Sequence, residues 1–217
     1  NVDQALLMVT LRSPETPKEF ADRFLVTCEA YKVPAAILLS KIDLQDAEAV
    51  AEFRAVYEGA GYGVREVSAK EGRGVEEVRE LLAGRTTLVS GNSGVGKSTL
   101  IQTIDPSLDI RTGEISDSHH KGRHTTTFST MYPLAEGGAV IDTPGIKGFG
   151  LLDIDDAELW YYFPEMMRVA PGCRFYNCTH THEPGCAVVE AVKAGEIAWS
   201  RYESYLKILD DDEKYRK

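Results

Sequence analysis

Short apolar segments alternate with helical periodicity up to about residue 150 of the chain. The apolar segments end at turn-forming residues and are too short for helices, so they predict strands. Between them, apolar residues recur every three or four positions, which is typical of a helix with one buried face. Strands that alternate with helices predict an α/β fold with a mainly parallel sheet.

The same pattern gives the boundaries of these elements. It predicts helices over 20–28, 47–59 and 75–82, and a further helix that begins at Lys97. Cys28 lies on the apolar face of the first helix, where we expect a small core residue. The predicted strands are 6–11, 35–39, 64–67, 86–90, 127–134 and 138–141.

The pattern changes near residue 152. Residues 153–159 open a predicted helix, a segment rich in Cys and His follows, and a helix from Ala187 leads into a charged tail. No strand pattern is obvious there. We therefore predict an α/β domain over 1–152 and a small, mainly helical, metal-binding domain over 153–217.

Composition narrows the class of protein. Of 217 residues, 43% are hydrophobic and 27% charged, which is ordinary for a globular protein. The formal net charge of −10 does not favour nucleic-acid binding through bulk charge, so any such contact needs a local patch. No apolar run approaches the roughly 20 residues of a membrane-spanning helix. The N-terminus lacks an initiator Met and the positively charged n-region of a signal peptide, so we expect that a segment precedes it.

One segment matches a phosphate-binding loop, G-x-x-x-x-G-K-[ST], with a predicted strand before it and an apolar helix after it. In such loops backbone N–H groups surround the phosphate, the lysine contacts the β- and γ-phosphates, and the next hydroxyl binds Mg²⁺. Lys97 and Ser98 are predicted to take these last two roles. The predicted nucleotide contacts are Gly91, Asn92, Ser93, Gly94, Val95, Gly96, Lys97, Ser98 and Thr99.

Two further motifs indicate which base is bound. The run Ser40-Lys41-Ile42-Asp43 resembles the Asn-Lys-x-Asp motif of GTPases, whose carboxylate accepts hydrogen bonds from guanine N1 and N2 and whose lysine stem packs on the base. The run Ser68-Ala69-Lys70 resembles the companion loop that contacts guanine O6. Ser40 replaces the usual Asn, and because a hydroxyl cannot copy the amide's bonds we expect weaker affinity or base selectivity.

Downstream of the phosphate loop lie the residues expected to respond to the γ-phosphate. Asp142 ends an apolar strand and is the expected second Mg²⁺ carboxylate, and Gly145 is placed to offer its N–H to the γ-phosphate. Thr126, with Thr125 as the alternative, is predicted to complete Mg²⁺ coordination. Ile146 stands where many GTPases carry a water-orienting Gln, and we predict that His124 replaces that function. The predicted catalytic residues are His124, Lys97 and Thr126.

A third group of residues has the spacing of a metal site. Cys173, Cys178, His180 and Cys186 provide three thiolates and one imidazole, the closed tetrahedral set of structural Zn²⁺, with His182 as the rival ligand. A secreted disulfide scaffold of this length would carry more cysteines, more evenly spread, so the spacing favours a reducing cytoplasm.

The base-recognition motifs precede the phosphate motifs, which reverses the order of ordinary GTPases. Because domain termini are often close in space, a chain can be cut and rejoined without moving its site, so this order indicates a circularly permuted GTPase. Together the motifs resemble the ribosome small subunit-dependent GTPase A family, also called RsgA or YjeQ, over essentially the whole chain. The residues that carry the resemblance are Asn1-Val2-Asp3-Gln4, Lys41 to Leu44, Ser68 to Lys70, Gly91 to Thr99, Gly122 to Thr127, Asp142 to Gly145 and the Cys₃His set.

The resemblance implies a GTPase that uses GTP/GDP, Mg²⁺ and Zn²⁺ and acts late in maturation of the small ribosomal subunit. It implies binding to small-subunit rRNA, stimulation by the particle, and an N-terminal OB-fold that is absent from these 217 residues. We expect a cytoplasmic monomer with no membrane contact. Two other classes stay open: a P-loop kinase or ATPase, which nucleotide competition would distinguish, and a non-enzymatic zinc adaptor, which turnover would exclude.

Overall fold

The strands form one sheet. The computed structural model describes residues 2–108, 130–142 and 154–215, with side chains as far as Asp210. The strand order is β3-β2-β1-β4-β6-β5, with β1 parallel to β2 and β4, β4 parallel to β6, and β5 antiparallel to β6. The predicted α/β class with a mainly parallel sheet is confirmed. The strands are β1 (Gln4–Val9), β2 (Ala35–Ser40), β3 (Gly63–Val67), β4 (Thr86–Ser90), β5 (Thr130–Pro133) and β6 (Ala139–Asp142).

Helices connect the strands and make up most of the C-terminal part. Within 154–215 the structure describes helices, turns and irregular chain but no strand. No helix of the described ranges is both long and apolar enough to cross a lipid bilayer. The α-helices are α1 (Lys18–Ala30), α2 (Ala47–Ala60), α3 (Val75–Leu82), α4 (Lys97–Ile104), α5 (Pro164–Val169), α6 (Ala187–Lys193) and α7 (Trp199–Tyr215), and 3₁₀ turns lie at Ile42–Leu44, Leu159–Tyr162 and Ala170–Gly172.

Two predicted elements differ from the structure. Strand β1 ends at Val9 because Thr10 closes a loop, in which the Thr16 N–H donates to the Thr10 carbonyl at 2.8 Å. The helix expected to open over 153–159 is a set of turns where it is described, and regular α-helix begins only at Pro164. Phe163 is extended (φ −113°, ψ 96°), as expected of a residue that precedes proline.

By its contacts the chain divides into two compact units. The first comprises the described residues of Asn1–Thr16, Val33–Val50 and Val64–Gly148, and therefore the whole sheet except the first residue of β3, with α3 and α4. Its core fills one face of the sheet, where Leu6 and Met8 alternate along β1 with residues of the opposite face. Against them pack apolar side chains of α3 and α4: Val75, Val78, Leu82, Leu100, Ile101 and Ile104.

The second unit comprises the described residues of Pro17–Lys32, Ala51–Gly63 and Phe149–Lys217. It takes α1 and most of α2 in addition to the C-terminal helices, so the linear boundary after residue 152 stays a prediction. Cys28 is 5% exposed in α1, and burial raises the pKa of its thiol to about 12, as expected of a core residue.

A buried ion-pair network joins three helices of this second unit. Arg201 of α7 is 1% exposed, and it donates from Nε to Glu165 Oε1 at 2.7 Å and from Nη1 to Asp22 Oδ1 at 2.6 Å. The Tyr57 hydroxyl also donates to Asp22 Oδ1, at 3.0 Å. The ion pairs therefore link α1, α5 and α7, and the Tyr57 hydrogen bond adds α2. The Arg201 guanidinium lies 4.9–5.7 Å from the ring centroids of Tyr57, Tyr62 and Phe163.

Candidate nucleotide and metal sites

The predicted phosphate loop lies between the end of β4 at Ser90 and the start of α4 at Lys97. Lys97 is 4% exposed, and its Nζ donates to the carbonyl of Gly91 at 2.6 Å. Burial lowers the pKa of Lys97, and the nearby charge of Asp142 acts in the opposite direction. The ammonium group therefore lies directly against the loop that would surround a phosphate.

Two glycines of this loop are required by close approach or by conformation. A Cβ at Gly91 would lie 2.5 Å from the carbonyl oxygen of Met8, so only glycine fits there. Gly96 precedes α4 with φ +105°, a conformation that residues with a Cβ rarely adopt. A Cβ on Gly96 would also lie 3.3 Å from the hydroxyl of Ser40, which places the start of the base-recognition motif beside the phosphate loop.

Asp142 is the last residue of β6 and pairs with Val89 of β4, so it lies beside the strand that enters the phosphate loop. It is 3% exposed, and its Oδ1 has no hydrogen-bond partner among the described residues. Burial raises the pKa of this carboxyl, while Lys97 acts to lower it. A buried carboxylate oxygen without a donor fits a cation ligand, so the residues present suit Mg²⁺.

The two predicted base-recognition motifs meet through a hydrogen bond. The Ser68 hydroxyl donates to Asp43 Oδ1 at 2.6 Å, and this bond is the main reason that the pKa of Asp43 is lowered. Lys41 has φ +54°, and its Nζ donates to the Ser13 carbonyl at 2.7 Å. Ser40 and Ser68 are both buried. The structure thus brings together residues 25 positions apart in the sequence.

The remaining predicted nucleotide residues divide into two groups. Ala69 and Lys70 follow Ser68 directly, and Ser98 and Thr99 lie in the first turn of α4. The second group lies outside the described residues: His124, Thr125, Thr126, Gly145 and Ile146.

The predicted metal ligands lie together. The ligand atoms of Cys173, Cys178, His180 and Cys186 all fall within 4.8 Å of one another. His180 Nδ1 lies 3.6 Å from Cys173 Sγ and 3.4 Å from Cys186 Sγ, and these two sulfurs are 3.9 Å apart. A tetrahedral Zn²⁺ with the usual bond lengths separates its ligand atoms by about 3.5–3.8 Å. The geometry therefore fits a four-coordinate zinc site.

Hydrogen bonds from the surrounding chain hold this cluster. The N–H of Ala187 donates to Cys173 Sγ at 3.3 Å, and the N–H of Val189 donates to Cys186 Sγ at 3.4 Å. Burial raises the pKa of Cys186, while the bond from Val189 acts to lower it. Burial raises the pKa of Cys178 to about 12, an effect that a bound cation reverses.

His180 and His182 have different environments. His180 is 1% exposed, its backbone carbonyl accepts a hydrogen bond from the Tyr202 hydroxyl at 2.7 Å, and the ring of Trp160 packs edge-on against it. The His182 Nδ1 instead contacts the Thr181 hydroxyl at 2.8 Å. Among the described residues, the ligand group with metal spacing includes His180 and not His182.

The segment after β1 contacts the nucleotide site, which the sequence did not predict. The Thr16 hydroxyl donates to Asn92 Oδ1 of the phosphate loop at 2.7 Å, across 76 positions of sequence. The Pro-rich turn that contains Thr16 is visible in the sequence, but no spacing rule connects it with Asn92.

Comparisons with known proteins agree with these features. A family model described as RsgA GTPase matches residues 1–152. A small ribosomal subunit biogenesis GTPase RsgA from Porphyromonas gingivalis is 52% identical over 224 residues, which cover 100% of this chain and 71% of the relative.

Solved structures agree as well. The crystal structure of YjeQ from Thermotoga maritima matches with a TM-score of 0.83 and 39% identity, over 97% of this chain and 71% of that one. The structure of YloQ, described as a circularly permuted GTPase, matches with a TM-score of 0.77 and 30% identity, over 100% of this chain and 70% of that one.

Proposed function

This chain belongs to the RsgA GTPase family, and we propose that it hydrolyses GTP in the biogenesis of the small ribosomal subunit. The predicted family resemblance and the circularly permuted fold are confirmed. The observation that supports the proposal most directly is the arrangement of the base-recognition residues beside the phosphate loop. The Asp43–Ser68 pair and the phosphate loop lie in one unit, with Ser40 beside Gly96.

Guanine recognition is assigned to the Asp43 carboxylate. Its oxygens can accept hydrogen bonds from guanine N1–H and the N2 amine, a pair of donors that adenine lacks. The bond from Ser68 leaves Asp43 ionised and orients it, because a hydrogen bond to the charged form favours that form. Lys41 supplies the stem that packs on the base, and Ala69 and Lys70 supply the loop backbone near O6.

Phosphate binding is assigned to the loop from Gly91 to Thr99. Backbone N–H groups surround the phosphates, and the Lys97 ammonium leaves the Gly91 carbonyl for phosphate oxygens, because a charged acceptor forms the stronger hydrogen bond. Ser98 and Asp142 would hold Mg²⁺, together with Thr126. When bound, Mg²⁺ neutralises charge on the β- and γ-phosphate oxygens.

Hydrolysis requires a group that orients the attacking water. His124 is proposed for this role because Ile146 cannot perform it, and Gly145 is proposed to offer its N–H to the γ-phosphate. Lys97 contributes by placing positive charge where negative charge develops in the transition state.

The cysteine cluster is proposed to bind structural zinc rather than a catalytic metal. Cys173, Cys178, His180 and Cys186 occupy all four tetrahedral positions, so none remains for a reacting water.

Contact with small-subunit rRNA, a monomeric state and a cytoplasmic location are part of the proposal. The net charge of −10 means that RNA contact needs a local positive patch. The chain spans about 70% of the length of the relatives that it matches.

Nucleotide competition tests the base assignment. A fluorescent GDP analogue bound to the protein should be displaced by GTP and GDP at far lower concentrations than by ATP. Equal displacement by ATP would reject guanine recognition by Asp43 and favour the kinase or ATPase alternative.

A further inference from the structure

Residues 12–16, here called the β1 loop, follow β1 and are fixed to its end by hydrogen bonds. The Thr16 N–H donates to the Thr10 carbonyl at 2.8 Å, and the Thr10 N–H donates to the Thr16 hydroxyl at 3.0 Å. The Thr10 hydroxyl donates to the carbonyl of Pro14. Thr16 itself is 8% exposed. These hydrogen bonds within the chain hold the loop in a defined conformation without any contact from a ligand.

The same loop contacts both halves of the nucleotide site. The Ser13 carbonyl accepts the hydrogen bond from Lys41 Nζ at 2.7 Å, on the base side. On the phosphate side, Pro14 lies close to Gly94, since a Cβ added to Gly94 would lie 3.5 Å from Pro14 Cδ. Within this five-residue loop, Ser13 therefore contacts the base-recognition lysine, and Thr16 contacts the phosphate loop through Asn92.

A further contact of this loop joins Thr16 to Asn92. A hydroxyl has a single proton, and because the Thr16 oxygen already accepts the Thr10 N–H, its proton is free for Asn92 Oδ1, at 2.7 Å. Asn92 directly follows Gly91, whose carbonyl holds Lys97. Fixing the Asn92 side chain therefore fixes the first turn of the phosphate loop.

We propose that Thr16 is a positioning residue that holds the phosphate loop, through Asn92, in the conformation that binds nucleotide. A loop that is already ordered loses less entropy when the phosphates bind, so the contact raises affinity. The Thr16–Asn92 contact should therefore change nucleotide affinity for both GTP and GDP, because the loop surrounds the phosphates of both nucleotides. This inference rests on the proposed guanine-nucleotide site.

The test compares two substitutions of similar shape. Thr16→Val removes the hydroxyl, while Thr16→Ser keeps it and serves as the matched control. One net hydrogen bond corresponds to about a 5- to 10-fold change in affinity. We expect Thr16→Val to raise the Kd for a fluorescent GDP analogue by that factor and to raise KM for GTP more than it lowers kcat. Thr16→Ser should stay within about twofold of the parent protein.

A double-mutant cycle with Asn92→Ala separates positioning from a general loss of stability. If Thr16 acts through Asn92, the double variant binds the GDP analogue no more weakly than the weaker single variant. Additive losses, or an unchanged Kd for Thr16→Val while the parent binds, would overturn the inference and leave the proposed function intact.

If Thr16→Val does not fold, Asn92→Ala alone must raise the Kd by the same factor, and an unchanged Kd overturns the inference. A parent protein that binds no GDP analogue would instead reject the proposed function and this inference with it.

Discussion

At the scale of single residues, Asp43 shows how a short-range contact prepares a binding group. Its pKa is lowered chiefly by the hydrogen bond from Ser68, so the carboxylate is charged and oriented. The sequence predicts both residues because each follows a strand in a motif of fixed spacing. It does not predict that they bond to each other, because that contact depends on how neighbouring strands are arranged.

Substitution of Asp43 tests its role directly. Asp43→Asn keeps the size of the side chain but removes the charge, so GTP binding should weaken by about 1–3 kcal/mol because a charge-assisted hydrogen bond becomes a weaker one. Titration with a fluorescent GTP analogue gives the Kd. Asp46→Asn, at a nearby carboxylate outside the motif, is the control and should bind as the parent does.

Arg201 illustrates a residue whose importance no motif signals. It pairs with Asp22 across 179 positions and with Glu165 across 36, and such partners cannot be read from local periodicity. Removing it leaves two carboxylates buried without their cation.

We therefore expect Arg201→Met to lower the free energy of unfolding by about 3–5 kcal/mol, the usual cost of breaking a buried pair from one side. Lys207→Met is the matched control on the same helix, because Lys207 makes an exposed ion pair with Glu203 at 3.3 Å. This substitution should lower the free energy of unfolding by less than about 1 kcal/mol. Urea denaturation of both variants measures the difference. Similar losses for the two would show that the Arg201 network does not stabilise the fold.

At the scale of elements, local sequence patterns predict most strands and helices. Where the predicted bounds of an element differ from the structure, the cause lies in nearby residues. Helix α3 and strand β4 match their predicted bounds because apolar periodicity and flanking glycines agree there. Strand β1 was predicted two residues too far along the chain, at 6–11 instead of Gln4–Val9, because Thr10 bonds to Thr16 instead of continuing the sheet. Helix α5 begins only at Pro164, because Phe163 is extended before the proline and separates the helix from the 3₁₀ turn Leu159–Tyr162.

The cysteine-rich loop is the element whose structure is expected to depend on metal. Analysis should find about one zinc per chain, and a strong chelator should lower the melting temperature of the C-terminal part because metal binding and local folding are coupled. Cys186→Ser should lose the zinc. His182→Ala should retain it, because His182 lies outside the ligand cluster. A zinc-free protein with unchanged melting would reject the structural role.

At the scale of the whole molecule, the contacts cross the boundary that the sequence suggests. Helix α1 lies early in the chain, yet its Val26 belongs to the same buried cluster as Phe163 and Tyr205. Sequence patterns indicated two domains in linear order, since composition changes near residue 152. They could not indicate that α1 groups with the C-terminal helices, because each apolar face has several candidate partners.

The central claim, a guanine-specific GTPase of small-subunit biogenesis, is tested most directly by measuring phosphate release with and without purified small ribosomal subunits. We expect GTP and not ATP to be hydrolysed, at a rate that rises when small subunits are added and not when large subunits are added. Lys97→Ala should abolish the reaction in every condition because it removes the phosphate-binding charge. Hydrolysis of ATP at the same rate, or a GTP rate that does not respond to small subunits, would contradict the claim.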